Sequence, residues 1–326
     1  PICIFGYCSE ERDFEVKLNK QFLTSIHLNK GKFKVYLPPQ EAVEGATLEI
    51  GKYIFQDVDI GEVWLAGGQS NIEFLIKWDE DRETIYKLPP DPHFRYFEVG
   101  KYTFEGEKEE GIADNFHWDE WHYFNSDNSP YFSSASTYFA LEMRKNLRIP
   151  IGIVSCCRGG TSASAWVPQK DLTGDLKVYL DEYENEIKDL DMNRYLKLNR
   201  LIRETYNPDA KDFVMRNTIT KEEREKIQTM GRTKEQIDLL NKLHSEYSNL
   251  EISKRGPHTA NRPCALYNLM LKKISGFSVR GILWYQGCED AKSGKSHLYE
   301  NLLKKLISRW RKKFGNVYFI VVQLAP

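Results

Sequence analysis

Three short segments of the chain hold residue types suited to acyl-transfer chemistry. Gly67-Gly68-Gln69-Ser70-Asn71 places a serine after two glycines at the end of an apolar run. Glycine permits a tight turn and close backbone approach. Such a turn would lift Ser70 Oγ out of its strand and set the Ser70 N–H near an oxyanion developing on a bound ester. The same position suits a helix N-cap, and spacing alone leaves both roles open. The segment is not the G-x-S-x-G elbow, because Ile72 stands where the second glycine would. Arg158-Gly159-Gly160-Thr161 offers backbone N–H groups free of Cβ obstruction, fit to donate to an oxyanion or a phosphate. Gln286, in Trp284-Tyr285-Gln286-Gly287, is an uncharged donor directly after another apolar run. An amide stabilises negative charge without itself titrating; it also anchors loops.

The elements that must position these residues follow from the apolar pattern. Glu62–Ala66, Ile151–Val154, Gly281–Tyr285 and Val317–Leu324 are strand-sized and mostly apolar without alternation, as expected of strands covered on both faces. Residues 133–147 have helical spacing, with Tyr138, Leu141 and Leu147 as inner-face candidates, and Leu298, Leu302, Leu306 and Trp310 predict a second helix. This alternation predicts an open parallel α/β sheet flanked by helices. Ligands of such sheets bind beyond the carboxyl ends of the strands, where the three segments would meet. Residues 1–60 predict a small β-rich part: Phe33, Val35 and Leu37 alternate up to Pro38-Pro39, and Leu48-Glu49-Ile50 leads through Gly51 to Tyr53-Ile54-Phe55. Residues 169–258 are charged, helical in spacing and broken at Asn207-Pro208-Asp209 and Gly231. They predict a helical insertion, either plainly solvated or bordering the crevice, between the two halves of the α/β domain at 61–168 and 259–326.

The chain of 326 residues carries 46 Lys plus Arg against 47 Asp plus Glu, a net charge of -1, which gives no field to attract nucleic acid or an anionic membrane. Aromatic residues at 13% and hydrophobic residues at 41% suffice for a real core rather than a disordered chain. No apolar run approaches membrane-spanning length. Pro1 falls in what reads as mid-strand, as in a fragment or trimmed chain, so the missing leader says little. Cys3, Cys8, Cys156, Cys157, Cys264 and Cys288 lack metal-ligand spacing and do not form a disulfide pattern. With no N-x-[ST] sequon, this leans towards a reducing, cytoplasmic setting.

Together, Gly61-Glu62-Val63-Trp64-Leu65-Ala66-Gly67-Gly68-Gln69-Ser70-Asn71, Arg158-Gly159-Gly160-Thr161, Ala165-Trp166-Val167-Pro168, Leu266-Tyr267-Asn268 and Trp284-Tyr285-Gln286-Gly287 resemble the sialate O-acetylesterase branch of the SGNH hydrolases, over roughly residues 30–168 and 260–326. The resemblance implies an SGNH-type α/β fold with Ser70 as nucleophile. It implies an oxyanion hole made by the N–H of Ser70, the N–H of Gly160 (or Gly159) and the side chain of Gln286. The reaction implied is hydrolysis of an acetyl ester on a sugar through an acetyl-serine intermediate, with no metal or cofactor. Alternatives are an inactive homologue, a carbohydrate-binding protein or an acetylxylan esterase. Cys288 stands where the family has Glu; it is expected to be a small buried neighbour, with Glu289 supplying the displaced carboxylate. The family's Asp-x-x-His follows the last strand seen here. Asp114…His117 and Asp119…His122 match that pattern locally, beside Trp118 and Trp121. They are expected to be coincidences, the alternative being a substituted base or sugar stacking by the tryptophans. His93 and His258 have no supporting pattern.

Overall fold

The computed structural model of the chain describes residues 2–105, 117–204, 233–235, 237, 238, 242 and 255–324. Six strands occupy the first 60 residues: β1 (Cys3–Cys8), β2 (Arg12–Leu18), β3 (Gln21–Leu28), β4 (Gly31–Tyr36), β5 (Val43–Ile50) and β6 (Tyr53–Ile60). They form an antiparallel sheet in the order β3-β2-β5-β6 and an antiparallel β1-β4 pair. Phe14, Val16, Leu28, Leu37, Leu48 and Ile50 fill the core between them.

The central sheet is built from β7 (Glu62–Gly68), β8 (Asp91–Glu98), β9 (Trp121–Phe124), β10 (Ile151–Cys157), β11 (Gly281–Tyr285) and β12 (Tyr318–Val321), in the order β12-β11-β7-β10-β8-β9. All neighbours run parallel except β9, which lies antiparallel on β8. Every residue of β10 is buried, the physical reason its sequence does not alternate. Two of these strands, β8 and β9, were not legible from apolar pattern. Asp91-Pro92-His93 and Arg95 give β8 a polar texture because the strand also braces the N-terminal sheet: Arg95 pairs with Asp57 and Asp59, each at 2.8 Å.

Seven α-helices are described: α1 (Ser70–Glu73), α2 (Arg82–Tyr86), α3 (Ser134–Leu147), α4 (Val178–Ile187), α5 (Met192–Glu204), α6 (Cys288–Lys292) and α7 (Ser296–Phe314). Helix α3 begins where Ser133 accepts from the Ser136 N–H and ends at Arg148 in the left-handed region. Its inner face is not the expected one. Tyr138 and Leu147 are exposed, whereas Ser136, Thr137 and Ala140 are buried. Small side chains let this helix lie close to the sheet, and a search for large apolar residues looks past them. Helix α7 buries Leu302, Leu306 and Trp310, as the spacing predicts. The Trp310 ring meets Trp284 at 5.3 Å and Trp166 at 6.3 Å, both edge-on, and its indole N–H donates to the Trp166 carbonyl at 3.0 Å. This aromatic cluster ties the segment after β10 to β11. The first part of the 169–258 stretch holds α4 and α5; Asn207-Pro208-Asp209 and Gly231 lie outside the described residues.

Candidate active site

Strand β7 sits at the centre of the parallel strands. The chain leaves it for β8, returns through β10 and then crosses to β11 on its other side. The crevice at such a switch opens at the carboxyl ends of the strands, where Gly68, Cys157 and Tyr285 end β7, β10 and β11. Gln69, not Ser70, occupies the N-cap position of α1. Ser70 is the first helical residue and is exposed. Among the described residues nothing hydrogen-bonds to its hydroxyl.

The turn after β10 lies against it. A Cβ placed on Gly159 would sit 3.5 Å from Ser70 Cβ. Gly160 is exposed and has φ +67, with nothing within 4 Å of where its Cβ would be. This is a left-handed conformation that glycine adopts without cost. The two glycines are not equivalent as donors. The Gly159 N–H donates to Glu73 Oε2, while the Gly160 N–H has no partner among the described residues.

Gln286 is buried beneath this surface rather than aimed at Ser70. Its amide nitrogen faces Gln69 Oε1 at 3.1 Å, the Thr161 carbonyl at 3.1 Å and Asp290 Oδ2 at 2.7 Å. Three acceptors compete for two hydrogens, which corrects the expectation of an amide free to donate into the crevice. Gln69 Oε1 also accepts from the Gly287 N–H at 3.2 Å and the Glu289 N–H at 3.1 Å. One side chain thereby ties the turn after β7 to the turn after β11.

Asp290 is fully buried. It accepts from Ser162 Oγ at 2.7 Å, the Ala163 N–H at 3.0 Å, the Tyr179 hydroxyl at 2.9 Å and Gln286. Burial and the Asp290 charge push the Tyr179 phenol well up. Tyr179 belongs to α4, so the first helix of the 169–258 stretch is bonded to the floor of the site. The buried carboxylate is therefore Asp290 and not Glu289, which is half-buried and accepts from Asn261 Nδ2 at 3.0 Å. Cys288, expected to be buried, is exposed at the start of α6. Sequence reading passed over Gln69 and Asp290; Gln69 was in view as part of the glycine turn, but its cross-strand reach leaves no local signal. A cavity of ≈ 340 Å³ opens beside Gly287, Tyr299, Val322 and Leu324, at the carboxyl ends of β11 and β12.

The histidines lie elsewhere. His122 is on β9, three strands from β7, or about 14 Å at the usual strand spacing. Its Nε2 is 2.8 Å from the His117 carbonyl. Asp119 takes the Gly100 N–H at 3.0 Å and the Tyr102 hydroxyl at 2.9 Å, the bonds of a turn rather than of a charge pair with His122. Asp114 lies outside the described residues. Trp121 packs on Phe97 and Phe277. His93 bonds Asp59 at 3.1 Å, and His258 stacks on Phe104 at 3.8 Å. Among the described residues no group of three or more His, Cys, Asp or Glu could hold a metal ion, and no helix is long and apolar enough to cross a membrane.

Comparison with known proteins places these features in context. The family described as carbohydrate esterase, sialic acid-specific acetylesterase, matches residues 251–326. The sialate O-acetylesterase of Mus musculus is 22% identical over 268 residues, covering 79% of this chain and 40% of its own length. That of Homo sapiens is 26% identical over 162 residues, covering 46% of this chain and 31% of its own length. The chain thus spans less than half the length of these curated relatives. Among solved structures, a carbohydrate acetylesterase from Xanthomonas citri matches 99% of this chain and 56% of its own, with TM-score 0.63 and 21% identity. The match to that structure shows a shared α/β fold. The findings together bear out the resemblance to the sialate O-acetylesterase branch.

Proposed function

We propose, on the premise that this chain is a relative of the sialate O-acetylesterase branch of the SGNH hydrolases, that it carries the nucleophile and oxyanion hole of a serine esterase removing O-acetyl groups from a carbohydrate. The observation that carries this reading is the exposed Ser70 hydroxyl at the end of the central strand, packed beside a glycine turn whose Gly160 N–H is unspent.

In this reading Ser70 Oγ bonds to the acetyl carbonyl carbon, and the carbonyl oxygen takes up the negative charge. The N–H groups of Ser70 and Gly160 hold that oxyanion. Fixed donors of this kind each contribute about a hundred- to thousandfold in kcat. Collapse breaks the bond to the sugar oxygen, which leaves with a proton, and water then hydrolyses the acetyl-serine. The resemblance assigns the base that moves these protons to an Asp-x-x-His segment after the strand that is β12 here, not to Asp119 and His122. Gln286 serves this site as a brace, since its amide hydrogens are shared among Gln69, Thr161 and Asp290.

The names of the relatives favour an O-acetylated sialic acid as substrate. An acetate-release panel on the full-length protein, with O-acetylated sialic acid and acetylated xylan side by side, tests this. Release from the sialic acid in wild type and not in Ser70→Ala is expected. Release from xylan alone would move the substrate class. Release from neither, with a sugar still bound, would favour a carbohydrate-binding protein.

A further inference from the structure

Directly behind Ser70 lies a charged cluster that the reaction as described does not use. Glu73 is on the same short helix as Ser70, one turn on. Its Oε1 lies 2.8 Å from Lys101 Nζ, and Lys101 Nζ lies 2.8 Å from Glu98 Oε1. Side-chain exposures of 16%, 6% and 2% for Glu73, Lys101 and Glu98 put all three charges out of bulk water. Burying a charge is costly unless it is paired and hydrogen-bonded, so the cluster needs a reason beyond filling space.

Its remaining bonds supply one. The other Glu73 oxygen accepts the Gly159 N–H, and Lys101 Nζ donates to the Cys157 carbonyl at 3.3 Å. The last ladder bond of β10 on this side is Arg158 N–H to the Gly68 carbonyl, at 3.1 Å. Beyond it the turn that presents Gly160 is gripped by Glu73, with Lys101 holding the strand end just before it. The approach is close enough that a Cβ on Gly159 would lie 2.8 Å from Glu73 Oε2.

We propose that Glu73 and Lys101 are positioning residues that lock the Gly159-Gly160 turn to the nucleophile's own helix, so that the N–H groups of Ser70 and Gly160 are held in register as a preformed oxyanion hole. The proposal rests on the reading of Ser70 as nucleophile. Because Glu73 shares a helical turn with Ser70, its carboxylate sets the spacing between the two donors, and Lys101 fixes the carboxylate's rotamer. Burial by itself pulls the Lys101 ammonium down, but the neighbouring acidic groups, Glu73 and Glu98 among them, outweigh it and hold the group well above the ordinary lysine value. The Lys101 ammonium is therefore charged at neutral pH.

The test is Glu73→Gln in the full-length protein, read in two ways. Turnover of an activated acetyl ester should fall about thirty- to a hundredfold in kcat, with KM little changed, as expected when reacting groups shift by about 1 Å. In the amide spectrum, the Gly159 proton should lie far downfield in wild type and return to the ordinary range in the variant. Wild-type kcat in a folded Glu73→Gln protein would overturn the proposal. If that variant does not fold, the wild-type spectrum decides alone: a Gly159 proton at an ordinary position overturns the clamp. If wild type fails to turn over the ester, the reading of Ser70 fails, and the Gly159 resonance still reports whether the clamp exists.

Discussion

Replacing Asp290 offers a sharp test of how the floor of the site is held, because its two oxygens face different kinds of donor. Oδ1 takes the hydroxyls of Ser162 and Tyr179, at 2.7 and 2.9 Å. Oδ2 takes the Ala163 N–H and the Gln286 amide, at 3.0 and 2.7 Å. A hydroxyl can turn round and accept; an N–H cannot. Asp290→Asn can therefore keep its oxygen towards Ala163 and Gln286 and donate its NH2 to the two hydroxyls. Its cost is the lost charge assistance, about 1 kcal/mol. Asp290→Ala loses that assistance too and strands the Ala163 N–H in a site closed to solvent, at about 1–3 kcal/mol more, while the Gln286 amide keeps Gln69 and Thr161 as acceptors. The expected total of about 2–4 kcal/mol is a large share of the roughly 5–15 kcal/mol by which a domain is stable. Urea unfolding followed by the fluorescence of the buried tryptophans would measure both variants, with the midpoint shift read at constant m. Asp290→Ala within about 1 kcal/mol of wild type, or Asn as damaging as Ala, would refute the donor argument.

Two further outcomes follow from the same geometry. His117→Ala and His122→Ala should each leave acetyl-ester turnover within about twofold of wild type, because β9 lies three strands, about 14 Å, from the strand that leads into Ser70 and the His117 carbonyl lies against His122; a tenfold loss in either would give this edge of the sheet a catalytic part. Stability should decline in alkali. Burial pushes the thiols of Cys157 and Cys264 up to about 12, whereas the unfolded chain releases those protons near pH 8.5. The folded state binds more protons between those values, so their contribution is whole below about pH 8.5 and is lost towards pH 12, at about 1.4 kcal/mol per pH unit and thiol. Urea midpoints at pH 8 and 10 should fall less in Cys264→Ala than in wild type; an equal fall would remove that thiol from the explanation.

The parts of the fold legible in the sequence were those whose burial is uniform or strictly periodic. β7, β10 and β11 are apolar on both faces, and α7 repeats Leu302, Leu306 and Trp310 at four-residue spacing. Ser70 and the Gly159-Gly160 turn could be singled out because a glycine turn after a buried strand is a local pattern. β8 escaped because its charged residues pair with the N-terminal sheet, and the inner face of α3 escaped because close packing there selects Ser136, Thr137 and Ala140. Gln69, Glu73, Lys101 and Asp290 act through partners distant in the chain, 28 residues away between Lys101 and Glu73 and 128 between Asp290 and Ser162. Nothing in the local sequence marks such a pairing. Gln286 could be singled out as an amide at a strand end, but its direction is set by Gln69 and Asp290.

The central claim is that Ser70 is the nucleophile. Treating the full-length protein with a fluorophosphonate and mapping the modified peptide by mass spectrometry tests it most directly. The account predicts one adduct, on Ser70, which disappears in Ser70→Ala together with ester turnover. An adduct on another residue, or acetyl-ester hydrolysis at the wild-type rate in Ser70→Ala, would contradict it.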